Sequence, residues 1–266
     1  MSRPTGTTTW LDLGSTDLRA AQAFYTELFG WEFENAGEEY HHYHTVRNGG
    51  ALVAGAMDVS GMTCPDGQPL TSEWSVFLAV DDIDARVERA LAAGAHVIVP
   101  ATDAGQAGRH AVLLDPAGNT VGLWQAGQTE GYEFTGATGS PVWFEVMTHD
   151  FDAAARFYTE VLDAQLVPMT EEMEDDSFRY VTNGAQDTAT WGLGDATGVM
   201  PEGEGGWRIY FAVEACDAAV ERIRELGGSL LDGPIDSPFG RIATVADPTG
   251  ASFQICAMSE STPEGS

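Results

Sequence analysis

The chain contains no lysine: its 12 basic residues are all arginine and stand against 41 acids, giving a formal net charge of −29 over 266 residues. A field of that sign repels phosphate backbones and anionic lipid, so neither nucleic acid nor membrane is an expected partner. The missing amine also removes Schiff-base catalysis. Cysteine is nearly as scarce. Cys64, Cys216 and Cys256 have neither metal-type spacing nor the even number that suits a disulfide framework, and they read as reduced, mostly buried thiols. No apolar run approaches the ~18 residues that span a bilayer, and no basic-then-apolar leader opens the sequence, which points to a cytoplasmic protein. A glycine-rich phosphate loop between strand and helix is absent, as is a nucleophile elbow. Nucleotide cofactors and acyl-enzyme chemistry therefore have no support, and no cofactor is expected.

What is present is a long internal repeat. Thr9 to Leu13, Asp17, Phe24-Tyr25 and Gly30-Trp31 form a strand, a capped helix and a turn, and the pattern returns in Val142 to Val146, Asp150 and Phe157-Tyr158. Trp10 maps to Trp143 and Asp17 to Asp150 at one offset of 133 residues. A period that long marks a duplicated domain of ordinary size. Each half divides again. Residues 9–57 read as βαβββ, with Asn48-Gly49-Gly50 as a hairpin turn, and His42 and His44 share one face of an expected strand from Tyr40 to Val46. Residues 74–124 read as βαβββ once more, closing through Asp115-Pro116-Ala117-Gly118-Asn119, and the second half repeats both units up to Asp247-Pro248-Thr249-Gly250. The expectation is an α+β chain: a first domain at 1–127, a linker at 128–140, a second domain at 141–258 and a flexible tail at 259–266. Glu171, Glu172, Glu174, Asp175 and Asp176 read as a solvated acidic loop.

These four βαβββ modules and their closing turns resemble the vicinal oxygen chelate superfamily of glyoxalases, bleomycin-resistance proteins and extradiol dioxygenases. Trp10-Leu11-Asp12-Leu13-Gly14, Phe29-Gly30-Trp31 and Gly122-Leu123-Trp124 are similar, more narrowly, to a tandem two-domain actinobacterial subgroup. The resemblance implies cup-shaped mixed sheets, two modules to a cup, and a divalent metal held from first and last strands. Here the corresponding places hold Trp10, Trp143, Ser75, Arg208, Gly122 and Gln254. A facial site needs about three N or O donors, some anionic or imidazole, so no metal is expected. The competing candidate is the imidazole cluster around His42 and His44, whose spacing suits chelation.

Strand alternation aims Asp12 into the same cup as Trp10, and Glu145 into the same cup as Trp143. A carboxylate beside an indole in a poorly hydrated cup would gain basicity, which makes Asp12 the candidate general base, Glu145 its counterpart and Asp17 a reserve. Alternatively Asp12 and Glu145 face solvent or pair with Arg109 or Arg241, and Asp17 is a helix cap, as Asp82 is in the second module. Trp10, Tyr43, His44, Met57, Trp74, Arg109, Trp124, Trp143 and Arg208 are the candidate ligand-binding residues. An aromatic lining with few polar groups suits a flat hydrophobic small molecule. Three functions stay open: a metal-independent lyase or isomerase that dehydrates or cyclises an aromatic polyketide-like metabolite; a protein that sequesters an aromatic drug; and a metal-dependent dioxygenase or glyoxalase-like enzyme. A homodimer is a further possibility, since cups can close within one chain or across two.

Overall fold

The computed structural model describes residues 3–64, 67–169, 178–185 and 187–258. The acidic run 171–176 and the tail 259–266 lie outside them. Module one comprises β1 (Thr8–Ser15), α1 (Leu18–Phe29), β2 (Glu32–Asn35), β3 (His44–Asn48) and β4 (Ala51–Asp58). Module two comprises β5 (Glu73–Ala79), α2 (Ile83–Ala92), β6 (His96–Asp103), β7 (Gly108–Leu114) and β8 (Thr120–Ala126). Module three has β9 (Pro141–Thr148), α3 (Phe151–Leu162), β10 (Val167–Pro168), β11 (Tyr180–Thr182) and β12 (Gly192–Asp195). Module four has β13 (Gly206–Ala212), α4 (Cys216–Glu225), β14 (Ser229–Ser237), β15 (Gly240–Ala246) and β16 (Ser252–Ala257). The strands form two eight-stranded mixed sheets, ordered β2-β3-β4-β1-β5-β8-β7-β6 and β10-β11-β12-β9-β13-β16-β15-β14. This is the α+β arrangement of tandem βαβββ modules that the repeat implies.

The helices start where short polar side chains can satisfy their first backbone donors. Asp17, Asp82 and Asp150 accept from the backbone N–H three residues on, whereas Ala215 at the start of α4 offers no such bond. Gly30 ends α1 in the left-handed conformation at φ 72°, which glycine adopts without steric cost. One expected strand is shorter than its pattern suggests. Glu38–Tyr40 form a 3-10 turn, His41 and His42 sit at φ 52° and 58°, and β3 begins only at His44. His42 and His44 therefore do not share a strand face.

The chain resolves into two compact units. One comprises Met1–Trp10, Ser75–Gly131 and Trp143–Arg208; the other comprises Leu11–Trp74, Tyr132–Val142 and Ile209–Ser266. In the first, α2 lies against α3, and the buried Arg86 links them by donating to the Val161 carbonyl (2.8 Å) and pairing with Asp163 (2.7 Å). The turn aspartate Asp115 is also buried there. It accepts from Ala117 N, Asn119 N, Asn119 Nδ2 and the Tyr158 hydroxyl of α3, which itself accepts from Trp207 Nε1. The second unit centres on Phe24, Tyr25, Phe29, Trp31, Trp74, Phe211 and Phe253, packed largely edge-to-face or tilted. Each fully buried ring of this kind contributes about 1.5–3 kcal/mol over its exposed state. Among the described residues no helix is long and apolar enough to cross a membrane.

Candidate functional site

On β1 Leu11 and Leu13 are fully buried while Asp12 and Gly14 are half-buried, as expected of a strand with one face against helices. β4 runs parallel to β1 with Asp12 beside Gly55 and Gly14 beside Met57, so Gly55 and Met57 share the face of Asp12. The Tyr43 hydroxyl reaches across and donates to Asp12 Oδ1. Glycine is required beneath this pair. A methyl group at position 55 would overlap both the Tyr43 hydroxyl and the Asp12 carboxylate.

Module three builds the same arrangement again. Gly192 lies beside Glu145 in the parallel pair of β12 and β9, and the Tyr180 hydroxyl donates to Glu145 Oε2 at 3.1 Å. A methyl group at Gly192 would strike the Tyr180 ring and hydroxyl. Two further groups complete this copy. Trp143 Nε1 donates to the Tyr180 hydroxyl at 3.0 Å, and Arg208 donates to Glu145 Oε1 at 3.2 Å. Burial and the adjacent Glu145 charge raise the Tyr180 phenol well above its ordinary pKa, so it remains a donor. Tyr180 and both glycines are absent from the residues singled out by sequence. The signal was available: Tyr43 to Gly55 and Tyr180 to Gly192 share one spacing, displaced from the 133-residue offset by an insertion between β9 and β11.

The remaining candidates divide by strand face. Trp10 and Trp124 are buried at 5% and 7% exposure and stack with centroids 6.4 Å apart. His110, opposite Trp124 across β7 and β8, shares the Trp124 face, and burial lowers its pKa. Four expectations need correction. His44 pairs with Ala56, which lies beside Leu13, so His44 takes the face opposite Asp12 and cannot join Asp12 and Tyr43. Burial lowers its pKa, and its Nδ1 has no hydrogen-bond partner among the described residues. Arg109 also points away from the Trp124 face, because it neighbours His110 on a pleated strand. Asp84 and Asp103 hold its guanidinium at 2.7 and 3.0 Å. Arg241 repeats this with Asp217 and Asp236, so neither arginine pairs with Asp12 or Glu145. Trp74 belongs to the aromatic core, where its Nε1 donates to the Tyr25 hydroxyl at 3.0 Å. Asp17 is spent on capping α1 by accepting from Ala20 N at 3.0 Å.

Models of two domain families match the sequence over most of its length. The Glyoxalase/Bleomycin resistance protein/Dioxygenase superfamily matches residues 140–255 and the Glyoxalase-like domain residues 8–124. DnrV, an anthracycline biosynthesis protein of Streptomyces peucetius, is 36% identical over 275 residues, spanning 97% of this chain and 95% of its own. The chain belongs to the glyoxalase, bleomycin resistance and dioxygenase superfamily. CFP32 of Mycobacterium bovis, provisionally named a glyoxylase, is 36% identical over 255 residues and 94% of each chain. Among solved structures, the 2,3-dioxygenase LapB of Pseudomonas sp. KL28 superposes with a TM-score of 0.63 at 13% identity, covering 96% of this chain and 93% of LapB. That identity speaks to the shared fold alone.

A divalent cation held from first and last strands is what the family resemblance implies, and the donors here do not suit one. The Trp143 indole is a hydrogen-bond donor engaged with Tyr180, Arg208 is a cation engaged with Glu145, and the Phe77 ring fills the space above Gly122. Among the described residues no group of three or more His, Cys, Asp or Glu side chains is placed to hold a metal ion. What module one offers is a carboxylate positioned by a phenol, with the flexible thioether of Met57 on the same face.

Proposed function

We propose that this superfamily member is a metal-independent lyase or isomerase acting on aromatic polyketide-like metabolites, with Asp12 as general base. The observation that carries the reading is the Tyr43 hydroxyl donating to Asp12 above Gly55, a trio no single element could assemble. Tyr43 fixes the carboxylate rotamer, and the carboxylate so oriented takes a proton from an acidic C–H beside a carbonyl. Loss of that proton gives an enolate that can expel a hydroxyl or close a ring. The substrate class is supported by the name of DnrV and by the stacked indoles of Trp10 on β1 and Trp124 on β8. Glu145 stands differently, bridged by both Tyr180 and Arg208, and we assign it no proton transfer.

The test uses hydrogen–deuterium exchange at the α-carbon of an aromatic 1,3-diketone, 1-phenylbutane-1,3-dione, followed by NMR in D2O. The native protein should accelerate exchange, Asp12→Asn should reduce the gain by about 10²–10⁴-fold, and Tyr43→Phe should cost less. Equal rates for native protein and Asp12→Asn would end the proposal. A second reading, sequestration of an aromatic ligand without turnover, draws on the Trp10–Trp124 stack. It predicts stoichiometric quenching of tryptophan fluorescence with the ligand recovered unchanged.

A further inference from the structure

The sequence holds four asparagines, and two of them, Asn48 and Asn183, are followed by glycine. In that dipeptide the backbone nitrogen reaches the side-chain amide most easily, because glycine puts no Cβ beside the attacking atom and leaves the chain free to turn. Both lie in the connection from the third to the fourth strand of their modules: Asn48 is the last residue of β3, and Asn183 follows β11. Their surroundings differ. Asn48 pairs with Ala51 across a two-residue turn in which Gly49 and Gly50 take φ 58° and 89°, as a primed hairpin turn requires. Both turn glycines are exposed, and a methyl group built on either would meet nothing within 4 Å. The Asn48 amide makes one hydrogen bond among the described residues, with Nδ2 donating to the Thr138 carbonyl at 2.8 Å.

Asn183 is held from both ends of its amide. Oδ1 accepts from Thr190 N at 2.8 Å and Trp191 N at 3.1 Å, while Nδ2 donates to the Gly6 carbonyl at 3.2 Å and to Thr190 Oγ1 at 3.0 Å. The glycine after it is fixed too. The Gly184 carbonyl accepts from Thr182 Oγ1 at 2.8 Å, and Thr188 Oγ1 lies 2.9 Å from where a Cβ would sit. To react, the side-chain carbonyl carbon must swing onto the next residue's nitrogen, which disturbs four hydrogen bonds at Asn183 and one at Asn48. We infer that Asn48 is a site of spontaneous deamidation, and that the fold protects Asn183 from the same reaction. The Gly49 nitrogen attacks Asn48 Cγ; the new N–C bond forms as the Cγ–Nδ2 bond breaks, and Nδ2 leaves as ammonia with the proton that Gly49 gives up. Solvent water then opens the cyclic imide at either carbonyl and yields aspartate or isoaspartate. Neither ionised product can donate to the Thr138 carbonyl, and isoaspartate inserts a methylene into the main chain at the turn that sets the β3–β4 register. The inference concerns this hairpin and does not depend on proton transfer at Asp12.

The experiment ages the full chain at physiological temperature and mildly alkaline pH, once folded and once in guanidinium chloride, and follows both asparagines by peptide mapping with mass spectrometry. A protein isoaspartyl methyltransferase with labelled S-adenosylmethionine marks the isoaspartate. In the folded chain Asn48 should deamidate at least about tenfold faster than Asn183, the margin that the additional hydrogen bonds on Asn183 supply. In guanidinium chloride the two should react at comparable rates, since the dipeptide is the same and the fold no longer acts. Methyl label on the peptide carrying residue 48 should be lost in Asn48→Gln and in Asn48→Ser. The inference is overturned if Asn183 keeps pace with Asn48 in the folded chain, or if Asn48 stays intact while the unfolded sample reacts. It is also overturned if the same bias persists in guanidinium chloride, which would trace it to flanking residues, or if the label on that peptide survives both substitutions.

Discussion

Replacing Tyr158 by Phe tests whether a buried hydrogen-bond chain ties α3 to the closing turn of module two. Tyr158 is fully buried; its hydroxyl donates to Asp115 Oδ2 at 3.2 Å and accepts from Trp207 Nε1 at 3.1 Å. Phe keeps the ring and its packing, so the change isolates the oxygen. Loss of a hydrogen bond to a charged acceptor costs about 1.5–3 kcal/mol. Trp207 is half-buried, so its stranded N–H can recruit water and adds less than about 1 kcal/mol. Asp115 Oδ2 still receives Asn119 Nδ2, which limits the damage. The expected loss is about 2–3 kcal/mol, read as a lower urea midpoint with unchanged slope. Tyr25→Phe is the internal comparison. Tyr25 accepts from Trp74 Nε1 and faces the Asp247 carboxylate, as Tyr158 faces Asp115, so its loss should be of the same order, about 1–3 kcal/mol. A loss below about 0.5 kcal/mol for Tyr158→Phe would refute this reasoning.

Arg86→Met should destabilise by about 1–3 kcal/mol, chiefly because the Val161 carbonyl loses its donor; the two aspartates, 64% and 58% exposed, remain solvated, which keeps the cost below that of an orphaned buried charge. Chemical denaturation checks it, and a loss above about 5 kcal/mol would show that the pair behaves as a dry ion pair. Arg86 holds the Asp81 carboxyl down at about 2 from an ordinary 3.8. A depressed carboxylate stabilises the fold above its unfolded value and loses that effect as pH falls, so the contribution should fade between 3.8 and about 2 and vanish in Asp81→Asn. Solvent exposure keeps it below about 1 kcal/mol, measurable as the difference between the two acid-unfolding curves. Gly55→Ala should displace Tyr43 from Asp12, lower stability by about 1–3 kcal/mol through overpacking, and impair diketone exchange as strongly as Tyr43→Phe; native behaviour in both assays would contradict the crowding described here.

Much of the fold was legible in residues close together along the chain. The 133-residue repeat, the aspartate caps of α1, α2 and α3 and the alternation that puts Asp12 opposite Leu11 and Leu13 are local features, and local sterics and hydrogen bonding express them directly. The site was legible only in part. Asp12, Tyr43 and Met57 meet on one face, but His44 was misplaced because a turn at His41 and His42 delays β3, and a strand that starts late changes which residues alternate together. Arg109 was drawn toward the site by its position after Gly108, yet Asp84 and Asp103 are nearer in space, which chain position cannot reveal.

By itself, then, the order of residues determined the four modules, where their helices begin and which side chains alternate on each strand. Only the tertiary structure decided that Tyr43 finds Asp12 and that Tyr180 finds Glu145. Periodicity places a side chain on one face of its own strand, whereas its partner depends on which strands pair and in what register, and that is set by contacts distant in sequence.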